Sequence, residues 1–277
     1  MHGLKIATEF LTGTPWFLRK TFMTGVDYEG YDSWKGWSAD DFGKCAPEIA
    51  HYFASELFRS GVKQLSGKAV LELGFGNGSF AGWARGKGAS YIGTETIPSL
   101  VDAGREQGFE VHLDAKNLPA LAAPDTLDFA VAFDVFEHLA ITDLREWLRR
   151  LHVCLRPGGK LIVRVPSGDS PFARAIQHGD MTHRLILGSS AVRQLAAEAG
   201  FAVESIREPA FPLRGAGVLS FLKRLGVSAA RAIAYPVIAN VFMGGGAPVL
   251  TPNLLFVLQK PQGCGIRCDA EGVFPNV

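Results

Sequence analysis

Cysteine is sparse in these 277 residues: Cys45, Cys154, Cys264 and Cys268 are the whole complement. Cys154 falls in an apolar helical run, where a reduced, packed thiol is the ordinary outcome. Cys264 and Cys268 have no further Cys or His at zinc-like spacing, so no metal site is expected there. An excess of charge of one sign is missing too. Lys and Arg number 28 against 27 Asp and Glu, for a net charge of +1, and they are scattered along the chain. The basic stripe of a nucleic-acid binder is therefore lacking, which favours a small-molecule partner over DNA or RNA. The first residues show no basic start followed by an uninterrupted apolar stretch, because Lys5, Glu9, Arg19 and Lys20 interrupt it. Secretion is not expected, and the sparse thiols fit a reducing cytoplasm.

What the chain does have is a buried-strand run set directly before three alternating glycines, Val70-Leu71-Glu72-Leu73-Gly74-Phe75-Gly76-Asn77-Gly78. Glycine permits a tight strand-to-helix turn and lets a ligand approach main-chain N–H groups closely. A dinucleotide loop reads G-x-G-x-x-G, whereas here the third glycine arrives one residue early, which argues against NAD. Glu72 sharpens the distinction: an anion two residues before the turn would repel a pyrophosphate but suits a ligand carrying an ammonium group, as S-adenosylmethionine does. Twenty-one residues beyond Gly74, the strand Tyr91-Ile92-Gly93-Thr94-Glu95 ends in an acid able to accept hydrogen bonds from both ribose hydroxyls.

These stretches resemble the class I S-adenosylmethionine-dependent methyltransferases. The resemblance continues through Leu113-Asp114-Ala115, through residues 128–139, and through Leu155-Arg156-Pro157-Gly158-Gly159-Lys160-Leu161. It covers roughly residues 65–208 and the strand near Asn253–Gln259. The resemblance implies that Glu72 holds the methionine amino group through water. Gly74, Phe75, Gly76 and Gly78 would wrap the methionine part, and Glu95, with Thr96 beside it, would take the ribose. Asp114 and the Ala115 amide would read the adenine edge, and Asp134 would end the fourth strand facing donor and acceptor.

Periodicity predicts the frame independently. Short buried runs at 68–71, 91–95, 111–113, 127–133, 160–165 and 201–206 alternate with helical patterns, the clearest being Thr142–Leu155 with Leu144, Trp147, Leu148 and Leu151 on one face. Pro157-Gly158-Gly159 is expected to turn the chain back. The alternation predicts a Rossmann-like, doubly wound α/β sheet, mostly parallel, with helices on both faces. Family resemblance adds a seventh, antiparallel strand at Asn253–Gln259.

Two regions lie outside this plan. Residues 1–66 form an aromatic leader with Tyr28, Tyr31, Trp34 and Trp37, then a helix from Pro47 to Arg59 with Ile49, Phe53, Leu57 and Phe58 on one side. In the family such a leader often closes over the donor; the plainer alternative is packing against the sheet edge. Within the methyltransferase domain at 67–277, residues 209–252 replace a short connection with about forty residues, well beyond ordinary loop length. Val218, Leu219, Phe221, Leu222 and Leu225 accompany Lys223 and Arg224, and an apolar run from Ala229 to Met243 carries Arg231, Pro236 and Asn240. Two helices are expected, kinked at Pro236, buried as a lid or homodimer contact. Peripheral membrane attachment is the second reading, which extends the expected cytoplasmic location to the inner face of the membrane.

Methyl transfer to a hydroxyl needs a base. His178-Gly179-Asp180-Met181-Thr182-His183 follows strand five at the ligand-binding end of the sheet. His183 is the first-choice base with Asp180 to orient it; the alternative is that Asp180 and Thr182 form a turn and His183 binds a substrate hydroxyl. His138, in Glu137-His138, is the second-choice base, since this dipeptide lies near the active site in related quinone-pathway O-methyltransferases. Helix capping is the plainer account of Glu137. His178, Asp180 and His183 resemble metal ligands by type, but no metal is assigned.

The chain thus reads as an S-adenosylmethionine-dependent methyltransferase of a small molecule. By resemblance to methyltransferases encoded with bacterial surface-polysaccharide enzymes, the acceptor is expected to be a hydroxyl of a sugar or glycan precursor. A quinone or lipophilic phenol is the alternative enzyme reading, and a non-catalytic donor-binding scaffold the alternative outside catalysis.

Overall fold

The computed structural model describes residues 30–113, 122–211, 217–244 and 249–262. Seven strands form one sheet: β1 (Ala69–Leu73), β2 (Ser90–Glu95), β3 (Val111–Leu113), β4 (Leu127–Phe133), β5 (Leu155–Pro166), β6 (Ala202–Arg207) and β7 (Asn253–Gln259). Their order is β3-β2-β1-β4-β5-β7-β6. The pairs among β1 to β5 are parallel, and β7 inserts antiparallel between β5 and β6. The chain winds outward from β1 in one direction and then outward from β4 in the other. A crevice therefore opens past the carboxyl ends of β1 and β4, where such sheets take their ligands.

Alternation along each strand explains the two layers. Leu71 and Leu73 of β1, Ala130 and Ala132 of β4, and Leu161 and Val163 of β5 face a core shared with Leu144, Trp147, Leu148 and Leu151 of helix Ile141–Cys154 and with Val192 and Leu195 of helix Ser189–Glu198. The intervening residues Val70, Phe129, Val131 and Ile162 face the opposite core, with Phe80 and Trp83 of helix Ser79–Gly86, Leu100 and Val101 of helix Pro98–Glu106, and Phe53 and Leu57 of helix Pro47–Arg59. Both faces are dry, as buried parallel strands require. Cys154 is fully buried and its thiol lies 3.2 Å from the Ala122 carbonyl.

The leader shares this core. Glycine at position 82 makes that possible: a Cβ there would stand 1.9 Å from the Gly43 carbonyl oxygen.

Several local expectations change. In helix Pro47–Arg59 the face toward the sheet is Phe53, Glu56 and Leu57, while Ile49 and Phe58 are exposed. Glu56 tolerates burial because Arg207 donates to it at 2.7 Å and the Ala210 amide bonds its other oxygen. Pro157-Gly158-Gly159 does not turn the chain back but lies inside β5, whose register slips against β4 between Leu127 and Phe129. Among the described residues of the insertion there is one helix rather than the expected two, Gly217–Phe242, running through Pro236. None of its residues is buried. Tyr28, Asp114, Ala115, Cys264 and Cys268 lie outside the described residues.

Candidate active site

After β1 the chain passes through Gly74, Gly76 and Gly78 at φ +64°, +54° and +73°, a left-handed path that side-chain-bearing residues resist. Close approach demands glycine as well, since a Cβ on Gly74 would meet Val135 at 2.6 Å and one on Gly76 would meet the Trp37 ring at 3.0 Å. The Gly74 amide bonds the Thr94 carbonyl at 2.8 Å, and the Gly76 amide donates to Glu95 Oε2 at 2.9 Å. The other Glu95 oxygen takes the Thr96 amide at 2.6 Å and the Thr96 hydroxyl at 3.1 Å. Burial raises the Glu95 pKa, and these backbone donors only partly offset it. Glu72, also buried, accepts the Tyr91 hydroxyl at 2.6 Å, and burial pushes its carboxyl well above the usual range. The turn therefore ends at two buried carboxylates with little positive charge around them. Those residues suit a nucleoside bearing an ammonium group: Glu72 for the cation, Glu95 for vicinal hydroxyls, and the glycines for close passage.

Asp134 follows β4 at φ +58°, a left-handed conformation uncommon outside glycine. Its amide donates to the Arg164 carbonyl at 2.9 Å, and its carboxylate grips the same guanidinium through Nε at 2.9 Å and through a second nitrogen. Arg164 lies over the rings of Tyr52 (5.2 Å) and Phe133 (5.5 Å), which fixes the fork. This partner was missed from sequence, although an arginine interrupting the apolar run Leu161–Val165 was its visible signal.

The third component joins two distant segments. Phe136–His138 is a single tight turn, and the Glu137 carbonyl accepts the amides of Arg184 (2.7 Å) and Leu185 (3.0 Å), which draws the 180–185 loop against it. His183 then sits with its ring 4.7 Å from that of His138. His183 Nδ1 donates to the Gln177 carbonyl at 3.0 Å, and its Nε2 lies 3.9 Å from Glu137 Oε1.

Asp180 does not touch the His183 ring. Its carboxylate accepts the Thr182 amide (3.0 Å) and hydroxyl (2.5 Å) and the Tyr31 hydroxyl (3.0 Å), with Lys35 Nζ at 3.5 Å. Through the Thr182 hydroxyl, 2.8 Å from His138 Nδ1, Asp180 is connected to His138 instead. Burial opposes ionisation of Asp180, but the bonds from Thr182 and Tyr31 outweigh it and hold the pKa at about 2. Burial, with the neighbouring His183, lowers His138 to about 4, so it is neutral at physiological pH. Glu137 moves the other way, raised well above the ordinary range by burial and by the charge of Asp134. His178 is exposed.

One cavity of about 560 Å³ collects these groups, a size suited to a small-molecule site. Glu72, Gly74, Phe75, Gly76, Glu95, Thr96, Asp134, His138, Asp180 and His183 all line it; Gly78 stands behind the turn, against Phe42. Tyr31, Trp34, Lys35 and Trp37 of the leader also line it. The aromatics therefore cover the site rather than only pack at a sheet edge. No described residue of 209–252 is among the lining residues, so the described part of the insertion is not a lid over this cavity.

A family model described as a methyltransferase domain matches residues 42–206. The ubiquinone biosynthesis O-methyltransferase of Xanthomonas euvesicatoria pv. vesicatoria is 29% identical over 133 residues, 44% of this chain and 54% of that protein. The chain thus spans about half the length of that curated relative. Among solved structures, a SAM-dependent methyltransferase from Archaeoglobus fulgidus aligns with a TM-score of 0.55 at 17% identity, over 76% of this chain and 94% of that one. The YcgJ protein of Bacillus subtilis aligns at 0.51 and 16% identity, over 77% and 100%. At such identities these likenesses speak for the fold alone.

Proposed function

This chain belongs to the methyltransferase-domain family, and we propose that it is an S-adenosylmethionine-dependent enzyme whose acceptor is a hydroxyl of a sugar or glycan precursor, presented on a lipid carrier at a membrane surface. The donor supplies a methyl group on a positively charged sulfur. Glu72 and Glu95 hold its two polar ends, and the glycine turn lets it lie against the main chain. Asp134, locked by Arg164, marks where the donor side of the cavity meets the acceptor side.

The observation that carries the hydroxyl reading is the convergence of His183, His138 and Glu137 in the same cavity as the donor residues. An alcohol must lose its proton as the O–C bond forms and the C–S electron pair departs with sulfur. The Gln177 carbonyl accepts a hydrogen bond from His183 Nδ1, so Nε2 carries the lone pair that can receive the acceptor's proton. Asp180, Lys35 and Tyr31 add polar groups suited to a polyhydroxyl acceptor.

The lipid carrier is argued from helix Gly217–Phe242. It is 26 residues long, none buried, and long and apolar enough in composition to cross a bilayer. Leu219, Ile233, Val237, Val241 and Phe242 are more than half exposed. Its charged residues are Lys223, Arg224 and Arg231, with no acid among them; Arg224 pairs with Glu48 at 2.9 Å, and Lys223 and Arg231 are the charges that match an anionic membrane surface at the cytoplasmic face.

A second reading, methylation of a quinone or lipophilic phenol, draws on the match to the Xanthomonas ubiquinone biosynthesis O-methyltransferase. The same surface would serve it, and a phenol needs a weaker base. Transfer of labelled methyl from S-adenosylmethionine to lipid-linked sugars, nucleotide sugars and phenols, side by side, separates the two. Methylation confined to phenols would overturn the sugar reading. Turnover of no acceptor, with donor binding intact, would favour a non-catalytic scaffold.

A further inference from the structure

The geometry points to a divalent-cation site formed by Glu137, His138 and His183, taking a first-row metal ion such as Zn²⁺, Mn²⁺ or Co²⁺. One donor atom from each of the three side chains lies within 4.8 Å of the other two. His183 Nε2 and Glu137 Oε1 are 3.9 Å apart. Two ligands at about 2.1 Å on a tetrahedral ion stand about 3.4 Å from each other, so the His183–Glu137 pair closes on an ion with roughly half an ångström of movement, and the pairs with His138 with at most about 1.4 Å.

The protons are arranged for it. A carbonyl can only accept, so His183 Nδ1 carries the hydrogen it gives to Gln177, and the lone pair is on Nε2. The Thr182 hydroxyl spends its single hydrogen on Asp180, so it accepts from His138 Nδ1 and leaves the His138 lone pair on Nε2 too. Both imidazoles therefore take the form that ligates metal, with the outer ring nitrogen anchored by a carbonyl or by a hydroxyl backed with a carboxylate.

Glu137 supplies the independent observation. It is 1% exposed, and neither carboxylate oxygen accepts a hydrogen bond from another residue among those described. A carboxyl buried in this way stays protonated unless a cation meets it, and it becomes a ligand when one does. The residue is not misplaced, because its own carbonyl is bonded by two amides of the facing loop. Two imidazoles and one carboxylate suit a first-row ion and leave coordination positions open.

The role of the ion rests on the methyl-transfer reading, whereas the site rests on the residues alone. With an ion bound, His183 is a ligand rather than the base. An acceptor hydroxyl occupying an open position gives its proton to water, keeps the electron pair, and forms the O–CH3 bond as the C–S pair leaves with sulfur.

The test is titration of the chelator-stripped full chain with Co²⁺, followed by visible absorption. The expected result is one Co²⁺ per chain, with Glu137→Gln and His183→Ala each weakening it by more than about 100-fold. Thr182→Val, which removes the partner of His138 Nδ1 together with one hydrogen bond to Asp180, should weaken it about tenfold. No Co²⁺-dependent band in the unaltered chain overturns the site, as does a Co²⁺ affinity that none of the three variants moves. If Glu137→Gln does not fold, Thr182→Val and His183→Ala decide the matter. Donor binding and methyl transfer are read on the same stripped sample. Full transfer without metal overturns the ion's role and leaves the function standing; absent donor binding removes the function, and the Co²⁺ titration still decides the site.

Discussion

The Gly76 amide donates to Glu95 Oε2 at 2.9 Å, so the acid that ends β2 is tied directly to the glycine turn that follows β1. Residues 19 apart in sequence become one unit because β1 and β2 are parallel neighbours in register, with Leu73 beside Thr94. The link between the glycine turn and the acid is thus a consequence of sheet order, and each half supports the other.

Substituting His183 by Ala should lower the rate of methyl transfer by about 10²- to 10⁴-fold, with donor affinity nearly unchanged. The ring meets Gln177, Glu137 and His138 but no donor-side residue. Steady-state rates set beside donor titration check this, and a variant with ordinary kcat would remove His183 from the chemistry.

Two glycines in one helix should respond oppositely. Gly82→Ala drives a Cβ to 1.9 Å from the Gly43 carbonyl oxygen, backbone that cannot yield cheaply, at an expected cost of about 1–3 kcal/mol or more. Gly86→Ala meets nothing within 4 Å and should gain up to about 1 kcal/mol from helix propensity. Urea denaturation of both variants is the measurement.

Much of this arrangement was legible in the sequence. Short apolar runs at β1, β4 and β5, alternating with helical patterns along the chain, foretold buried strands with helices on both faces, because a strand covered on both sides is apolar at nearly every position. The Gly74–Gly78 spacing foretold a tight strand-to-helix turn, since its left-handed path and close approach can be met only by glycine. What escaped depends on contacts between distant segments: Arg164 with Asp134, Tyr31 with Asp180, and Thr182 rather than His183 as the partner of Asp180. Glu137 looked like an ordinary first-turn acid, and only the approach of the 180–185 loop leaves its carboxylate buried without donors. In the insertion the described apolar residues face outward along one long helix instead of forming a lid, because no periodicity in the sequence tells a helix packed within the chain from one left for a dimer or membrane contact.

Acid should weaken the fold through Asp128. Burial raises its pKa, but the Ala69 amide, Lys68 and Arg156 more than compensate, and the folded value is depressed. A depressed carboxylate contributes stability that is complete above its unfolded pKa of about 3.9 and is lost as pH falls from there through the folded value. Asp128→Asn should cost about 1–2 kcal/mol at neutral pH and flatten the acid limb of stability against pH. An unchanged acid limb would contradict it.

The exposed helix should bring the chain to vesicles containing anionic lipid and not to zwitterionic ones, with binding that weakens as salt rises. Lys223→Glu should reduce it by at least about fivefold, given about 1 kcal/mol per basic residue near the surface. Leu219→Asp, at a side chain 83% exposed, should reduce it without altering thermal stability. Co-sedimentation reads all three. A chain that ignores anionic vesicles, or a constant dimer formed through this helix, would contradict the membrane assignment.

Isothermal titration of the purified chain with S-adenosylmethionine and with NAD, repeated on Glu95→Ala, tests the central claim most directly. Saturable binding of S-adenosylmethionine is expected, with no binding of NAD and roughly 10- to 100-fold weaker donor binding in the variant, the loss of one or two hydrogen bonds to a charged group. Absence of S-adenosylmethionine binding, or affinity unmoved by Glu95→Ala, would contradict it.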